Sequence, residues 1–247
     1  MKKILIKISW IVVLLPILIA VPLWNLNNQG YFKLKNIQMN LMSSGSSASY
    51  MDTLKSNLEK KLLSYNGKSL FEIDLTNIAT LLEKEKWIKS FEIQRSWPDS
   101  IEIKIKNYEL VMLYWNEKNE VYPIFENNEI LDRVEKKELP DRIYLFDKKI
   151  ASNRELRSKA IEVIQRLPEK GPLRQSEIAE IGYDSKLGFW LQLIKNNILV
   201  KLGEEKIELK SERVSNVIDY LDSKQIDARV IDANLSQKVL VRLRKDP

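Results

Sequence analysis

Residues 87–106 read WIKSFEIQRSWPDSIEIKIK, and this stretch decides the fold of the first half of the chain. Apolar and polar residues alternate over residues 91–94 and again over residues 101–106, which is the pattern of a half-buried strand. Between them, residues 97–100 combine a proline with an aspartate and a serine, as tight turns do. We therefore predict two strands joined by a turn.

The residues before this strand pair have the spacing of two helices. Four apolar residues recur at helical intervals: Met51, Leu54, Leu58 and Leu62. Asn66 and Gly67 supply the expected stop, and Asp74 can cap a second helix. That helix would place three apolar residues on one side: Ile78, Leu81 and Leu82.

An earlier strand is predicted at residues 32–39, where apolar and polar residues alternate. The serine-rich residues 43–47 predict a short flexible loop after it. The order of elements is then strand, helix, helix, strand, strand. Such an α+β unit is compact enough to fold independently.

The chain begins with an apolar segment behind three lysines. Those lysines lie within residues 1–7, and residues 10–24 are apolar throughout, a little short of the roughly 20 residues that a bilayer core requires. Because positive residues stay on the cytoplasmic side, we predict a cytoplasmic tail at residues 1–7 and a transmembrane helix at residues 8–28. Trp10 and Trp24 suit the two interfaces, and the bulk of the chain is expected outside the cytoplasm.

A cleaved signal peptide is the competing interpretation of this segment. Such a peptide needs small residues at a cleavage site shortly after the apolar run. Residues 20–22 read AVP and residues 23–26 read LWNL, so neither stretch offers that site. We therefore predict an uncleaved membrane anchor.

The composition argues against an enzyme. The 247 residues include no histidine and no cysteine, which removes disulfides, histidine zinc sites and Ser-His or Cys-His nucleophile pairs. There is also no Ser-x-x-Lys motif and no glycine-rich phosphate-binding motif. Acidic residues occur in mixed runs such as residues 83–86 and 135–138, which are typical of solvated surfaces. We therefore predict no catalytic residue, no cofactor and no metal ion.

Residues 109–247 carry the pattern of a mixed β-sheet with flanking helices. Ser152 and Glu155 form a predicted capping box, and the helix behind them ends at Pro168. The apolar stripe of this helix consists of Leu156, Ala160, Val163, Ile164 and Leu167. It predicts a helix that packs on a sheet.

Beyond this helix the pattern is mainly that of strands. The predicted strands cover residues 189–194, 198–202, 228–231 and 238–244. The first two flank a turn at residues 195–197 and predict a hairpin. Ser211 can cap a helix between the second and third strands. The apolar residues of that helix are Val214, Val217, Ile218 and Leu221.

Two stretches resemble the FtsQ/DivIB family of cell-division proteins. Residues 67–74 and 87–99 are similar to the POTRA domain of that family, and the second stretch is the more specific. The residues that match its pattern are Trp87, Ile88, Ile93, Arg95, Trp97, Pro98 and Asp99. An apolar run that ends in a tryptophan follows at the expected place, in residues 110–115.

The resemblance implies an α+β fold with a transmembrane helix, a POTRA domain at residues 32–108 and an FtsQ-type β domain at residues 109–247. Trp87 and Ile93 should then be core residues of the POTRA domain. The implied function is that of a non-enzymatic divisome scaffold, a single-pass protein of the inner membrane at the division septum. Its POTRA domain would recruit the chain to the division site through upstream division proteins. Its β domain would bind the partners FtsB and FtsL by strand addition.

The partner site implied by the resemblance is the last predicted strand. Its residues are Lys238, Val239, Leu240, Val241, Arg242, Leu243 and Arg244. By period-two alternation, we expect Val239, Val241 and Leu243 to pack on the helices. Arg242 and Arg244 would then contact acidic partner residues. The plainer alternative is an edge strand whose basic residues only guard against aggregation.

Two other classes of protein stay open. A POTRA module of an outer-membrane assembly or secretion machine would need a series of lipid-facing strands after residue 108, where two amphipathic helices are predicted instead. An anchored envelope enzyme would need a nucleophile outside the motifs considered above. The net charge of +6 is spread along the chain, so we expect weak attraction to anionic lipid or wall polymer and no nucleic-acid binding.

Overall fold

The computed structural model describes residues 18, 20–42, 48–134, 143–235 and 238–244. The chain folds into two compact units. The first unit comprises Met1–Ser44 and Met51–Asn107, and the second comprises Gly45–Tyr50 and Tyr108–Pro247.

The first described element is a helix, α1, over residues 20–28. Gly30, at a left-handed φ of 81°, ends it in a Schellman motif. In that motif the Gly30 N–H donates to Asn27 O and the Tyr31 N–H donates to Leu26 O, both at 3.0 Å.

Of the predicted transmembrane helix at residues 8–28, 11 of 21 residues fall outside the described residues, and the predicted tail at residues 1–7 lies wholly outside them. The same is true of the loop expected at residues 43–47. Within the described part of the chain, no helix has the length and apolar character needed to cross a membrane.

The first unit has the predicted order strand, helix, helix, strand, strand. Its elements are β1 (Asn36–Leu41), α2 (Ala48–Leu62, most of which lies in this unit), α3 (Leu75–Glu83), β2 (Ile88–Ser96) and β3 (Ser100–Asn107). The three strands form a sheet in the order β1-β3-β2, with β1 parallel and β2 antiparallel to β3. The central strand β3 therefore has a hydrogen-bonded neighbour on each side. Its isoleucines at 101, 103 and 105 are fully buried.

The first strand begins later than the sequence pattern predicts. The pattern placed it at residues 32–39, whereas β1 starts at Asn36. The preceding residues are paired with another segment, since the Leu34 N–H donates to Lys68 O at 2.9 Å and the Leu70 N–H donates to Phe32 O at 2.8 Å. These bonds hold the chain against the loop after α2.

The predicted helix cap and most of the predicted core are confirmed. The Thr76 N–H donates to Asp74 Oδ1 at 2.9 Å, which caps α3. Trp87 is buried, with 1% of its surface exposed. Ile93 is only partly buried, because β2 is an edge strand with a neighbour on one side.

Arg95 connects β2 to the segment between the two helices. Its Nε donates to Leu70 O at 2.9 Å and its Nη2 donates to Ile73 O at 2.7 Å. One guanidinium therefore satisfies two main-chain carbonyl groups of the segment between α2 and α3. This geometry needs the planar fork of an arginine rather than a lysine.

The second unit is built on one sheet. Its elements are β4 (Leu110–Trp115), β5 (Val121–Phe125), β6 (Ile143–Leu145), α4 (Lys148–Ser152), α5 (Arg154–Gln165), β7 (Ile178–Asp184), β8 (Gly188–Leu193), β9 (Leu199–Gly203), α6 (Ile207–Ser223), β10 (Ala228–Asp232) and β11 (Leu240–Leu243). Among the described residues, eight strands pair in the order β11-β10-β9-β8-β7-β6-β4-β5. Apolar residues of α5 and α6 share one buried core with these strands.

Two predicted helix caps in this unit are wrong. Ser152 is the last residue of α4, and α5 is capped by Asn153, whose Oδ1 accepts from the N–H groups of Glu155 and Leu156. Ser211 lies inside α6, where its buried hydroxyl donates to Glu208 O at 2.8 Å. Serine can satisfy itself in this way within a helix, so its presence alone does not fix a helix start.

Trp87→Ala should lower the free energy of unfolding of the first unit by about 3–5 kcal/mol, because it removes a large, fully buried side chain. Urea denaturation followed by circular dichroism would measure the loss. Trp97→Ala is the matched control, since half of that side chain is already exposed and much less should be lost. Equal losses in the two variants would contradict the placement of Trp87 in the core.

Candidate functional site

The predicted partner strand forms one edge of the eight-stranded sheet. β11 pairs antiparallel with β10, with Leu240 opposite Asp232 and Leu243 opposite Ala228. In the part of the chain that the structure describes, β11 has no neighbour on its other side. Its outer main-chain groups are therefore open to an added strand.

The observed strand is shorter than the predicted one. β11 covers Leu240–Leu243, while Lys238 and Val239 precede it and Arg244 follows it. Val239 and Val241 pack against the core of the unit, as expected.

Leu243, which was expected to pack on the helices, is 56% exposed. The expectation is wrong for this residue because β11 ends here, beside a bulge in β10 between Ala228 and Val230. A bulge twists its strand locally and interrupts the regular pairing.

Two exposed side chains alternate with the packed valines. Leu240 is 52% exposed, and Arg242, opposite Val230, is exposed as well. Among the described residues, the Arg242 guanidinium has no acidic partner within ion-pair distance. The edge thus offers an apolar contact and a free positive charge beside its open main chain.

Arg244 has a different role from Arg242. Its Nη2 donates to Asn196 O at 2.7 Å, and its main-chain N–H donates to Asp227 O at 2.9 Å. Its Nε also lies 3.7 Å from the Asp227 carboxylate. Arg244 therefore holds the end of β11 to the turn of the β8–β9 hairpin.

The turn that receives Arg244 is itself well fixed. Asn196 and Asn197 have left-handed φ values of 55° and 50°, which asparagine tolerates better than most residues. Lys195 donates to Asp222 Oδ2 of α6 at 2.7 Å, and this bond raises the pKa of Lys195. The hairpin was predicted from the sequence, but no local pattern indicated that its turn accepts a bond from Arg244.

The face of the sheet next to Leu240 continues across four strands. In register order, Leu240 is followed by Asp232, Lys201, Trp190 and Gly182. The Trp190 ring lies over Gly182, where an added Cβ would overlap the ring. Gly182 is therefore needed to let Trp190 lie across the sheet.

Arg244→Ala should increase the rate of amide hydrogen exchange in β11 several-fold, because it releases the end of the strand from Asn196 and Asp227. Hydrogen–deuterium exchange of peptides that cover residues 240–243 would measure the change. Arg242→Ala is the matched control and should leave the rate unchanged. If both variants exchange like the parent chain, Arg244 does not hold the strand.

Comparison with known proteins matches both units. The model of the FtsQ-type POTRA domain matches residues 50–108, and the model of the C-terminal domain of cell division protein FtsQ/DivIB matches residues 113–234. The second match ends before β11. The two matches together cover most of the chain.

Several relatives bear the name cell division protein FtsQ. That of Syntrophotalea carbinolica is 24% identical over 189 residues, which are 72% of this chain and 64% of the relative. That of Cellvibrio japonicus is 25% identical over 182 residues, 70% of this chain and 51% of the relative. That of Geotalea daltonii is 22% identical over 183 residues, 71% of this chain and 66% of the relative. The chain thus spans about half to two thirds of the length of these relatives, and it belongs to the FtsQ/DivIB family of cell division proteins.

Proposed function

We propose that this chain is a non-enzymatic, membrane-anchored scaffold of the division machinery, which binds other septal membrane proteins outside the cytoplasm. Membership of a cell-division family supports a role in cell division, and the open edge of β11 supports binding by strand addition. In this proposal residues 32–108 form the POTRA domain and residues 109–247 form the β domain.

The observation that carries the proposal is the combination of three features at β11. The outer main chain is open, Leu240 is exposed for an apolar contact, and Arg242 is an unpaired cation among the described residues. A partner strand of the FtsB or FtsL type would pair with the main chain. An acidic residue opposite Arg242 would fix its register more than its affinity.

The other parts of the chain have supporting roles in this proposal. The apolar segment at residues 8–28 anchors the chain in the inner membrane, with residues 1–7 in the cytoplasm and the bulk outside. The POTRA domain takes the chain to the septum through upstream division proteins. Each role is separate from the partner edge, so each can be tested alone.

The topology can be tested with a reporter that works only outside the cytoplasm. Fused after Pro247, it should be active, because the lysines of residues 1–7 keep the amino terminus inside. Mass spectrometry of the membrane fraction should find a chain that still begins at Met1 or Lys2. A soluble product that starts near Asn25 would contradict the anchor.

Leu240→Pro should abolish co-purification of FtsB- and FtsL-like partners from gently solubilised membranes. Proline removes a strand N–H, and Leu240 is half exposed, so the core should be unaffected. The variant should still reach mid-cell, because the POTRA domain is unchanged.

Arg242→Glu should weaken binding of the same partners, and more so at low salt than at high salt, because the new repulsion is screened by ions.

Lys170→Glu is the matched control for the charge reversal, since Lys170 is an exposed loop residue far along the chain from β11. It should bind like the parent chain. If Leu240→Pro and Arg242→Glu both bind like the parent chain, the partner site does not lie at β11. The β8–β9 hairpin would then be the next surface to test.

A further inference from the structure

Four aromatic side chains gather where α1 meets the rest of the first unit. This aromatic patch consists of Tyr31, Phe32, Phe71 and Trp97. Phe32 is buried at its centre, with ring centroids 5.3 Å from Tyr31, 5.1 Å from Phe71 and 5.8 Å from Trp97. The three outer rings are 51%, 56% and 50% exposed, respectively. Three large aromatic rings exposed side by side are unusual on a surface that meets only water.

The aromatic patch is fixed at the end of α1. Only residues 29–31 separate the end of α1 from Phe32, which is bonded to the loop after α2 because its carbonyl accepts from the Leu70 N–H. The Ser69 hydroxyl donates to Asn27 Oδ1 of α1 at 2.8 Å. Hydrogen bonds, and not a free linker, therefore connect α1 to the rest of the first unit.

The neighbouring part of α1 is equally apolar and exposed. Val21 and Trp24 both leave more than half of their surface uncovered. Both belong to the apolar run at residues 10–24, so a bilayer that covers this run would end near the end of α1. From Trp24 to residue 28 a helix rises only about 6 Å, which is within the depth of the lipid headgroup region.

The chemistry of the aromatic patch suits that region. Tyrosine and tryptophan combine an apolar ring with a polar group and concentrate at membrane interfaces. Lys33 follows Phe32 in the chain and pairs with Ser69, which places Lys33 and Lys68 beside the patch. Both lysines are exposed and can reach lipid phosphates. Glu72 is exposed next to Phe71, while Asp74 caps α3 and Asp99 is paired with Lys35 at 3.0 Å.

We propose that the aromatic patch docks on the surface of the phospholipid bilayer. The first unit then lies against the membrane with Tyr31, Phe71 and Trp97 among the headgroups. This inference rests on the membrane anchor of the proposed function. It adds a second lipid contact, made by the folded unit rather than by the apolar segment.

Depth-dependent fluorescence quenching in vesicles can test the contact. Because the chain has no cysteine, Glu72→Cys introduces a single labelling site beside the aromatic patch. Lys106→Cys places the same fluorophore near the other end of β3, six residues from Ser100 or about 20 Å along the strand. The full chain would be reconstituted in vesicles of phosphatidylethanolamine and phosphatidylglycerol that carry a headgroup nitroxide.

The label at Glu72 should be quenched several-fold more strongly than the label at Lys106. Replacing both Phe71 and Trp97 by serine should reduce the quenching at Glu72 to that of the Lys106 label. Ile194→Ser is the matched control, since it removes an equally exposed apolar residue from the second unit and should change nothing.

Two failures have different meanings. If the chain floats with the vesicles but the two labels are quenched equally weakly, the patch faces water or a protein, and the inference is wrong while the anchor stands. If the chain does not float with the vesicles, the anchor of the proposed function is wrong, and the inference is wrong with it.

Discussion

Main-chain hydrogen bonding is the constraint on which the second unit depends. Each strand of its sheet needs a neighbour for its N–H and C=O groups, and β11 supplies that neighbour for β10. β11 has only four residues, and it is held in place by Val239 and Val241 on the core side and by Arg244 at its end. The same short strand must therefore complete the sheet and leave its outer side open. These two requirements explain why Arg244 is bonded to the neighbouring hairpin while Arg242 is exposed at the outer edge.

Much of the first unit could be predicted because its signals are local. Alternation over residues 91–94 and 101–106, a turn between them and Asp74 before an apolar stripe each report on a few neighbouring residues. The order of elements followed from the same short-range signals, whereas the burial of Trp87 was implied by the family resemblance. The start of β1 could not be found in this way, because residues 32–35 alternate like a strand but pair with the loop at residues 68–70.

The second unit was predicted less completely because its signals are long-range. β4 is buried at four consecutive positions, and β6 has three residues, so neither shows a clear alternation. Asn153 and Ser152 are both good caps, and only the short helix α4 decides between them. At the candidate site, alternation identified the strand, the packing of Val239 and Val241 and the outward position of Arg242. It could not identify the bond from Arg244 to Asn196, which lies 48 residues away along the chain.

The close connection at Gly30 has a mechanical consequence. A helix that ends in a Schellman motif and is bonded to the next fold through Ser69 and Asn27 cannot swivel freely against it. In a bilayer, such a helix and the rest of the first unit would tilt together as one rigid body. A thicker or thinner bilayer changes the tilt of a spanning helix. In the proposed anchored chain, the orientation of the first unit would then follow the lipids around the helix, which would make that orientation sensitive to membrane thickness.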